Sequence, residues 1–303
     1  MRYRTKKWLL FRLNVRVKML TALYGKPEFI VTWGKAVGDN LLMTPAISEY
    51  YEQRKKKVWV LTYFPELFKN NHSVIVFNNH EFEENFFKEK GFKVFIPYYV
   101  SCGDMLTSKP HIIKQIAGHF NVLINDDKLK PVYRVNKSEL YHKKTERPLI
   151  VIQSTTANSH YPILNKEWYP ERFQEIVYAL KDQVEFVQLG RSDDSKLCQV
   201  HTDLRGSTTI REAIGIIASA QLFVGLVGFY MHAARAVNTK SIIIYGGREH
   251  PSQSGYPDNI NIYTPLHCSP CWKWNDCEYD RKCMREINSA EVVEKIKKYL
   301  HLN

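Results

Sequence analysis

The sequence predicts an α/β protein made of two doubly wound domains. Three observations predict it. Apolar runs of strand length alternate with amphipathic runs of helix length; the alternation is interrupted once, by a polar stretch from Asp126 to Arg147; and 303 residues give room for about two domains of roughly 150 residues each.

The first half runs in order. Phe29–Trp33 (FIVTW) is apolar enough for a buried strand and leads into a glycine-containing loop. Leu41–Tyr51 has helical spacing. Val58–Tyr63 and Val74–Phe77 are β-branched and aromatic runs of strand length. Glu81–Lys90 is a helix that stops at Gly91, the residue that best tolerates a left-handed cap. Val94–Ile96 is a fourth strand and His111–His119 a helix. Past the polar stretch, with its KLKP and KKTERP runs, the alternation restarts. Strands are expected at Leu149–Gln153, Val184–Leu189, Leu222–Gly225 and Ser241–Tyr245. Helices are expected at Pro170–Lys181, Thr209–Ala220, Tyr230–Val237 and Ser289–Leu300. The expected organisation is a basic amphipathic helix over 1–27, an N-terminal domain over 28–140, a C-terminal domain over 147–288 and a closing helix over 289–303.

Composition narrows the function classes. Hydrophobic residues are 44% and charged residues 24%, a globular balance that argues against disorder. The net charge of +12 favours an anionic partner. No zinc-finger, RNP or helix-turn-helix signature accompanies it, so no nucleic acid is expected. Eight of the basic residues lie between Met1 and Lys26, with no acid before Glu28. Leu9, Leu13, Val17, Leu20 and Tyr24 recur there at helical spacing, flanked by Trp8, Phe11, Val15 and Met19. The segment is too charged to span a bilayer and lacks a signal-peptide pattern. It fits a helix lying on an anionic membrane surface, or a helix docked on its own domain.

Ligands of such sheets bind at the carboxyl ends of strands, which directs attention to three loops. The first is Gly34–Asn40, with Lys35, Asp39 and Asn40. It matches neither a P-loop nor a GxGxxG turn. Asp39 reads either as the N-cap of a helix starting near Leu41 or as a general base. The second holds Ser154, Thr155 and Thr156, with Lys166 soon after. It is either a diphosphate cradle or a polar loop with a solvated lysine. The third is Gly225–His232, where Gly228 opens a helix and His232 is either packed or functional. Four of the six cysteines, Cys268, Cys271, Cys277 and Cys283, fall within 16 residues. They are either reduced structural thiols or a site for zinc or iron.

Together these segments resemble the heptosyltransferase family of glycosyltransferases, glycosyltransferase family 9. The similar segments are Gly38-Asp39-Asn40-Leu41-Leu42-Met43-Thr44-Pro45-Ala46, Lys166-Glu167-Trp168-Tyr169-Pro170, Leu204-Arg205-Gly206-Ser207-Thr208-Thr209-Ile210, Met231-His232-Ala233-Ala234, and Cys268-Ser269-Pro270-Cys271 with Cys283-Met284. They occur in family order from about Glu28 to Leu300. The resemblance implies the GT-B architecture, two Rossmann-like domains facing a cleft. It implies inverting transfer of a heptose or related sugar from a nucleotide sugar, ADP-heptose, to a lipopolysaccharide or lipooligosaccharide core, with no obligatory cofactor or metal. The protein would then work in the cytoplasm, on the inner face of the inner membrane. On this mapping Asp39 is the base, and Lys166, Ser154, Thr155, Gly206, Gly228 and His232 hold the donor. Lys35 and Asn40 belong to the acceptor-side loop. The chain departs from the family pattern at Val227 and Phe229, where an acid and a glycine are usual. That departure keeps open a catalytically silent member that binds a nucleotide or partner. A transferase acting on protein is the other alternative.

Overall fold

The computed structural model describes residues 3–78, 81–100 and 110–303; Arg2 of the basic N-terminal segment lies outside them. The N-terminal half contains α1 (Tyr3–Tyr24), β1 (Ile30–Thr32), α2 (Val37–Leu42), α3 (Thr44–Arg54), β2 (Val58–Thr62), β3 (Val74–Asn78), α4 (Glu81–Glu89), β4 (Val94–Phe95) and α5 (Ile112–His119). The C-terminal half contains β5 (Leu149–Ile152), α6 (Pro170–Leu180), β6 (Glu185–Gln188), β7 (Thr202–Asp203), α7 (Ile210–Ala218), β8 (Leu222–Leu226), α8 (Phe229–Ala236), β9 (Ser241–Gly246), α9 (Pro251–Ser254), β10 (Ile260–Tyr263), α10 (Lys282–Arg285) and α11 (Ser289–Leu300).

Two sheets result, ordered β3-β2-β1-β4 and β10-β9-β8-β5-β6-β7. Every strand pair in both is parallel. The period-2 alternation of β2 sends Trp59 and Leu61 to one face, with Ile75, Phe77 and α1, and Val58 and Val60 to the other, with Ile47, Tyr50 and Ile116. The second sheet is covered on one face by α6 and α11 through Phe173, Ile176, Val292 and Ile296. On its other face lie α7 and α8, through Ile214, Ile217, Met231 and Ala234. Helices on both faces are the doubly wound arrangement that the alternation predicts.

Four local departures have physical causes. The helix expected over Leu41–Tyr51 is two helices, α2 and α3, and Pro45 sits in the first turn of the second. Proline lacks the amide that would continue the first helix and suits a helix start. β7 and β10 were not expected; both are edge strands, held by a single neighbour each. Of the apolar side expected from Leu9, Leu13, Val17, Leu20 and Tyr24, only Leu13, Val17 and Leu20 dock on the N-terminal sheet, joined by Leu10, while Tyr24 is exposed.

The stretch between the sheets is not a free linker. Arg211 of α7 forks onto Glu139, with Nε to Oε1 at 2.6 Å and Nη2 to Oε2 at 2.7 Å. The same guanidinium donates to the carbonyls of Glu66 and Arg134, both at 2.8 Å. A side chain at Gly215 would put its Cβ 1.9 Å from the Glu139 carbonyl oxygen. Glycine there lets the connecting chain lie against α7, where one buried arginine pairs Glu139 and holds the Arg134 carbonyl. No helix among the described residues is long and apolar enough to cross a membrane.

Candidate active site

The loop after β1 is built by Asn40. Its buried amide donates to the carbonyls of Trp33, Gly34 and Ala36, the last at 2.9 Å, and its Oδ1 accepts from Thr62 Oγ1 at 2.8 Å. All its hydrogen-bonding capacity goes into holding the loop. From helix α2, Asn40 therefore holds the preceding Trp33–Ala36 loop from within. Lys35 is exposed, with its ammonium 5.6 Å from the Tyr63 ring centre.

Asp39 is not an N-cap. α2 begins at Val37 with Ala36 as its cap, so Asp39 lies within the first turn, where the helix dipole favours a negative charge. Its Oδ1 accepts a hydrogen bond from the Tyr99 hydroxyl at 3.1 Å. Burial pushes its carboxyl up to about 6; Tyr99 and the charge of Lys166 pull it down, and Glu249 pushes it up. Such a carboxylate is mostly ionised at neutral pH and still basic enough to take a proton.

The facing wall comes from the C-terminal half. Lys166 ends the short 3-10 turn Leu164–Lys166. Its ammonium lies 2.5 Å from Glu249 Oε1. Arg248 pairs with the same carboxylate, donates from Nε to the Lys273 carbonyl at 2.9 Å, and lies 5.1 Å from the Trp272 ring centre. Burial alone would raise the Glu249 carboxyl, but Lys166 and Arg248 outweigh it and hold it down at about 2. Two cations against one anion leave one net positive charge on this wall, which suits a diphosphate.

His232, in the first turn of α8, is buried and shares a 2.8 Å hydrogen bond from Nδ1 to the Tyr256 hydroxyl. Burial, with the charge of Lys166, drives its imidazole down to about 3, so it is neutral in the working range. The Tyr256 hydroxyl positions the ring. A Cβ at Gly38 would lie 3.7 Å from the Phe229 backbone and 3.9 Å from the His232 ring. The Asp39 loop thus meets the start of α8 across the cleft. Gly228 is the cap of α8, in extended conformation, so the amides of that first turn face the same junction. Val227 is buried in the apolar cluster shared by the two halves.

The remaining predicted donor residues have other occupations. Ser154 Oγ donates to the Ser195 carbonyl at 3.0 Å and accepts from Gln188 at 3.1 Å. Thr155 donates to Glu167 at 2.6 Å, and Thr156 gives the same carboxylate its amide at 2.8 Å and its hydroxyl. The hydroxyls expected to cradle a diphosphate are thus already engaged, Ser154 with the Ser195 carbonyl and Thr155 with Glu167, the residue after Lys166. Gly206 has φ +65° and approaches Ser192 so closely that a Cβ would lie 2.6 Å from the serine Cβ. Glycine there serves chain geometry, letting the turn after β7 lie against Ser192.

Sequence reasoning missed Tyr99, Arg248 and Glu249. A signal was present: Arg248 and Glu249 follow β9 and Tyr99 follows β4, all beyond the carboxyl ends of parallel strands. The cysteines Cys268, Cys271, Cys277 and Cys283 are free thiols. Among the described residues no three His, Cys, Asp or Glu side chains are arranged to hold a metal ion.

The family model of glycosyltransferase family 9 (heptosyltransferase) matches residues 117–280, more than half of the chain. The chain belongs to glycosyltransferase family 9. Solved structures agree with it in fold. The iron-containing dodecameric glycosyltransferase TibC of enterotoxigenic E. coli has 15% identity over 90% of this chain and 75% of that one, with a TM-score of 0.69. E. coli ADP-heptose lps heptosyltransferase II has 16% identity over 90% and 98%, with a TM-score of 0.65. E. coli heptosyltransferase WaaC with ADP has 13% identity over 89% and 100%, with a TM-score of 0.57. The two parallel sheets with helices between them are the GT-B glycosyltransferase fold. No curated protein matches the chain.

Proposed function

We propose that this family 9 glycosyltransferase transfers a heptose, or a closely related sugar, from ADP-heptose to a lipopolysaccharide or lipooligosaccharide core acceptor, with inversion. One observation carries the reading. Asp39, from the N-terminal half, lies close enough to Lys166, from the C-terminal half, for the lysine's charge to pull its carboxyl down. Inversion needs a base on one side of the anomeric carbon and stabilised leaving-group charge on the other. Asp39, ionised and aimed by Tyr99, takes the acceptor hydroxyl proton. Lys166, Arg248 and the first-turn amides beyond Gly228 hold the diphosphate that leaves. His232 packs the junction without taking a proton. The net charge of +12 suits an acceptor bearing phosphates and carboxylates, met at the cytoplasmic face of the inner membrane.

A second reading rests on Val227 and Phe229. Valine offers no hydrogen bond to a donor hydroxyl, and Val227 is turned into the core. A silent relative that binds a nucleotide or a partner is consistent with that. A thermal-shift panel of ADP, UDP, GDP and CMP with their sugar forms separates the two. Saturating ligand at about a hundred times its dissociation constant adds roughly 2.7 kcal/mol. Selective stabilisation by ADP and ADP-heptose, followed by transfer to a deacylated core acceptor, is the expected result. Stabilisation without transfer or donor hydrolysis favours the silent relative. Transfer only to a polypeptide moves the acceptor to protein.

A further inference from the structure

Helix α1 is apolar on two opposite sides, and only one is covered. On the inner side Leu10, Leu13, Val17 and Leu20 pack with Ile30, Trp59, Leu61, Ile75 and Phe77. Arg16 reinforces that docking: its Nη2 donates to the Val76 carbonyl at 2.8 Å and its guanidinium lies 4.5 Å from the Phe77 ring centre. On the outer side stand Trp8, Phe11, Val15, Met19 and Leu23, exposed by 53, 67, 40, 60 and 69%. At about 3.6 residues per turn these positions form one stripe, roughly 22 Å long. A surface helix needs one apolar side to dock. A second, contiguous and in water, marks a contact with something else.

Charge indicates what that is. No acidic side chain occurs in Tyr3–Tyr24. Arg12 and Lys18 lie beside the stripe, with the Arg12 guanidinium 4.6 Å from the Trp8 ring centre. At the C-terminal end of the helix Lys57 sits over the ring of Tyr24 and Lys26 over that of Phe92. A second copy of the chain docked by the same side would set cations against cations, because a two-fold interface pairs one patch with itself. An anionic bilayer satisfies both features at once: apolar side chains enter the headgroup boundary while lysines and arginines stay on the phosphates.

We propose that the outer side of α1 docks the protein on an anionic phospholipid surface. Trp8, Phe11, Val15, Met19 and Leu23 enter the boundary, and Arg12 and Lys18, beside the stripe, contact the headgroups. The proposal deepens the membrane location given above by naming the surface, but stands apart from the sugar chemistry.

The test is flotation of the full-length protein with phosphatidylcholine vesicles, with and without phosphatidylglycerol. Wild type should float with the anionic vesicles. The triple variant Phe11→Ser, Met19→Ser, Leu23→Ser, all at exposed positions, should lose more than about tenfold in partitioning at an unchanged thermal midpoint. Arg12→Gln with Lys18→Gln should lose about fivefold per charge on anionic vesicles only. Equal partitioning of wild type and the triple variant overturns the proposal. So does a lipid-free dimer that the triple variant dissociates. The ADP-induced thermal shift, measured in parallel, should be the same in wild type and the triple variant. If ADP stabilises neither while vesicle binding persists, the donor reading fails and the docking surface stands.

Discussion

Asp39 and Glu249 come from the two halves of the chain, near enough for Glu249 to push the Asp39 carboxyl up, and burial acts on both in the same direction. Their carboxyl groups nevertheless end far apart, one pushed up to about 6 and the other held down at about 2. The difference lies in their partners. Glu249 has Lys166 at 2.5 Å and Arg248 in direct contact. Asp39 has one neutral donor, Tyr99, and feels the Lys166 charge only across the gap. A carboxylate clamped by two cations is electrostatic scaffolding. One that is dry but only lightly held is a proton acceptor. Between these two neighbouring carboxyl groups the roles are thus assigned by counter-charge and not by burial.

The largest expected effect comes from removing the clamped partner. Glu249→Gln leaves Lys166 and Arg248 facing each other without an anion, and should cost about 3 kcal/mol of stability, read by denaturant unfolding. A loss within about 0.5 kcal/mol would show that the clamp does not hold this wall together. In the surviving folded protein the Asp39 carboxyl should titrate lower, because a repelling charge has gone.

Asp39→Asn comes next. It should lower the transfer rate at least about a hundredfold while ADP still stabilises the protein, which separates the base from the donor wall. Near-wild-type turnover would remove Asp39 from the chemistry. The intact enzyme should also show an acid limb, with rate falling about tenfold per pH unit below about 6.

Stability should respond to the same two groups in opposite senses. The folded Glu249 carboxyl lies below its ordinary value of 4.5, so its contribution is present above that value and lost as pH falls toward about 2. The folded Asp39 carboxyl lies above its ordinary value of 3.8. Its ionisation therefore costs stability above about 6, and the cost is relieved as pH falls toward 3.8. Tyr99→Phe is the smallest change. It removes a hydrogen bond to the ionised form, so the acid limb should move up by about one pH unit. An unmoved limb would mean that Tyr99 does not tune the base.

The site was only partly legible beforehand. Asp39, Lys166 and His232 stand in motifs whose spacing survives in sequence, and the structure brings them to one junction. The reading of Ser154 and Thr155 as donor ligands rests on residue type, and residue type does not show that Ser154 turns to the Ser195 carbonyl and Thr155 to Glu167. Asn40, expected in the loop, lies in α2, and its side-chain amide turns inward to the loop's carbonyls. Tyr99 and Arg248 lie far from those motifs in the chain, so no local pattern links them to Asp39 or Lys166. Helix α1 shows the same limit: its apolar positions were readable, but which of them met the sheet was not.

What the sequence determined by itself is the doubly wound α/β class, most element positions and the family, because apolar periodicity and short motifs are local properties of the chain. Only the tertiary structure decided how β7 and β10 pair as edges, that the polar stretch around Glu139 is locked by Arg211, which carboxylate is clamped and which is free to accept a proton, and which side of α1 remains bare. Each of those depends on groups distant in sequence meeting in a dry place, where one charge or one packed side chain changes the energy of its neighbour.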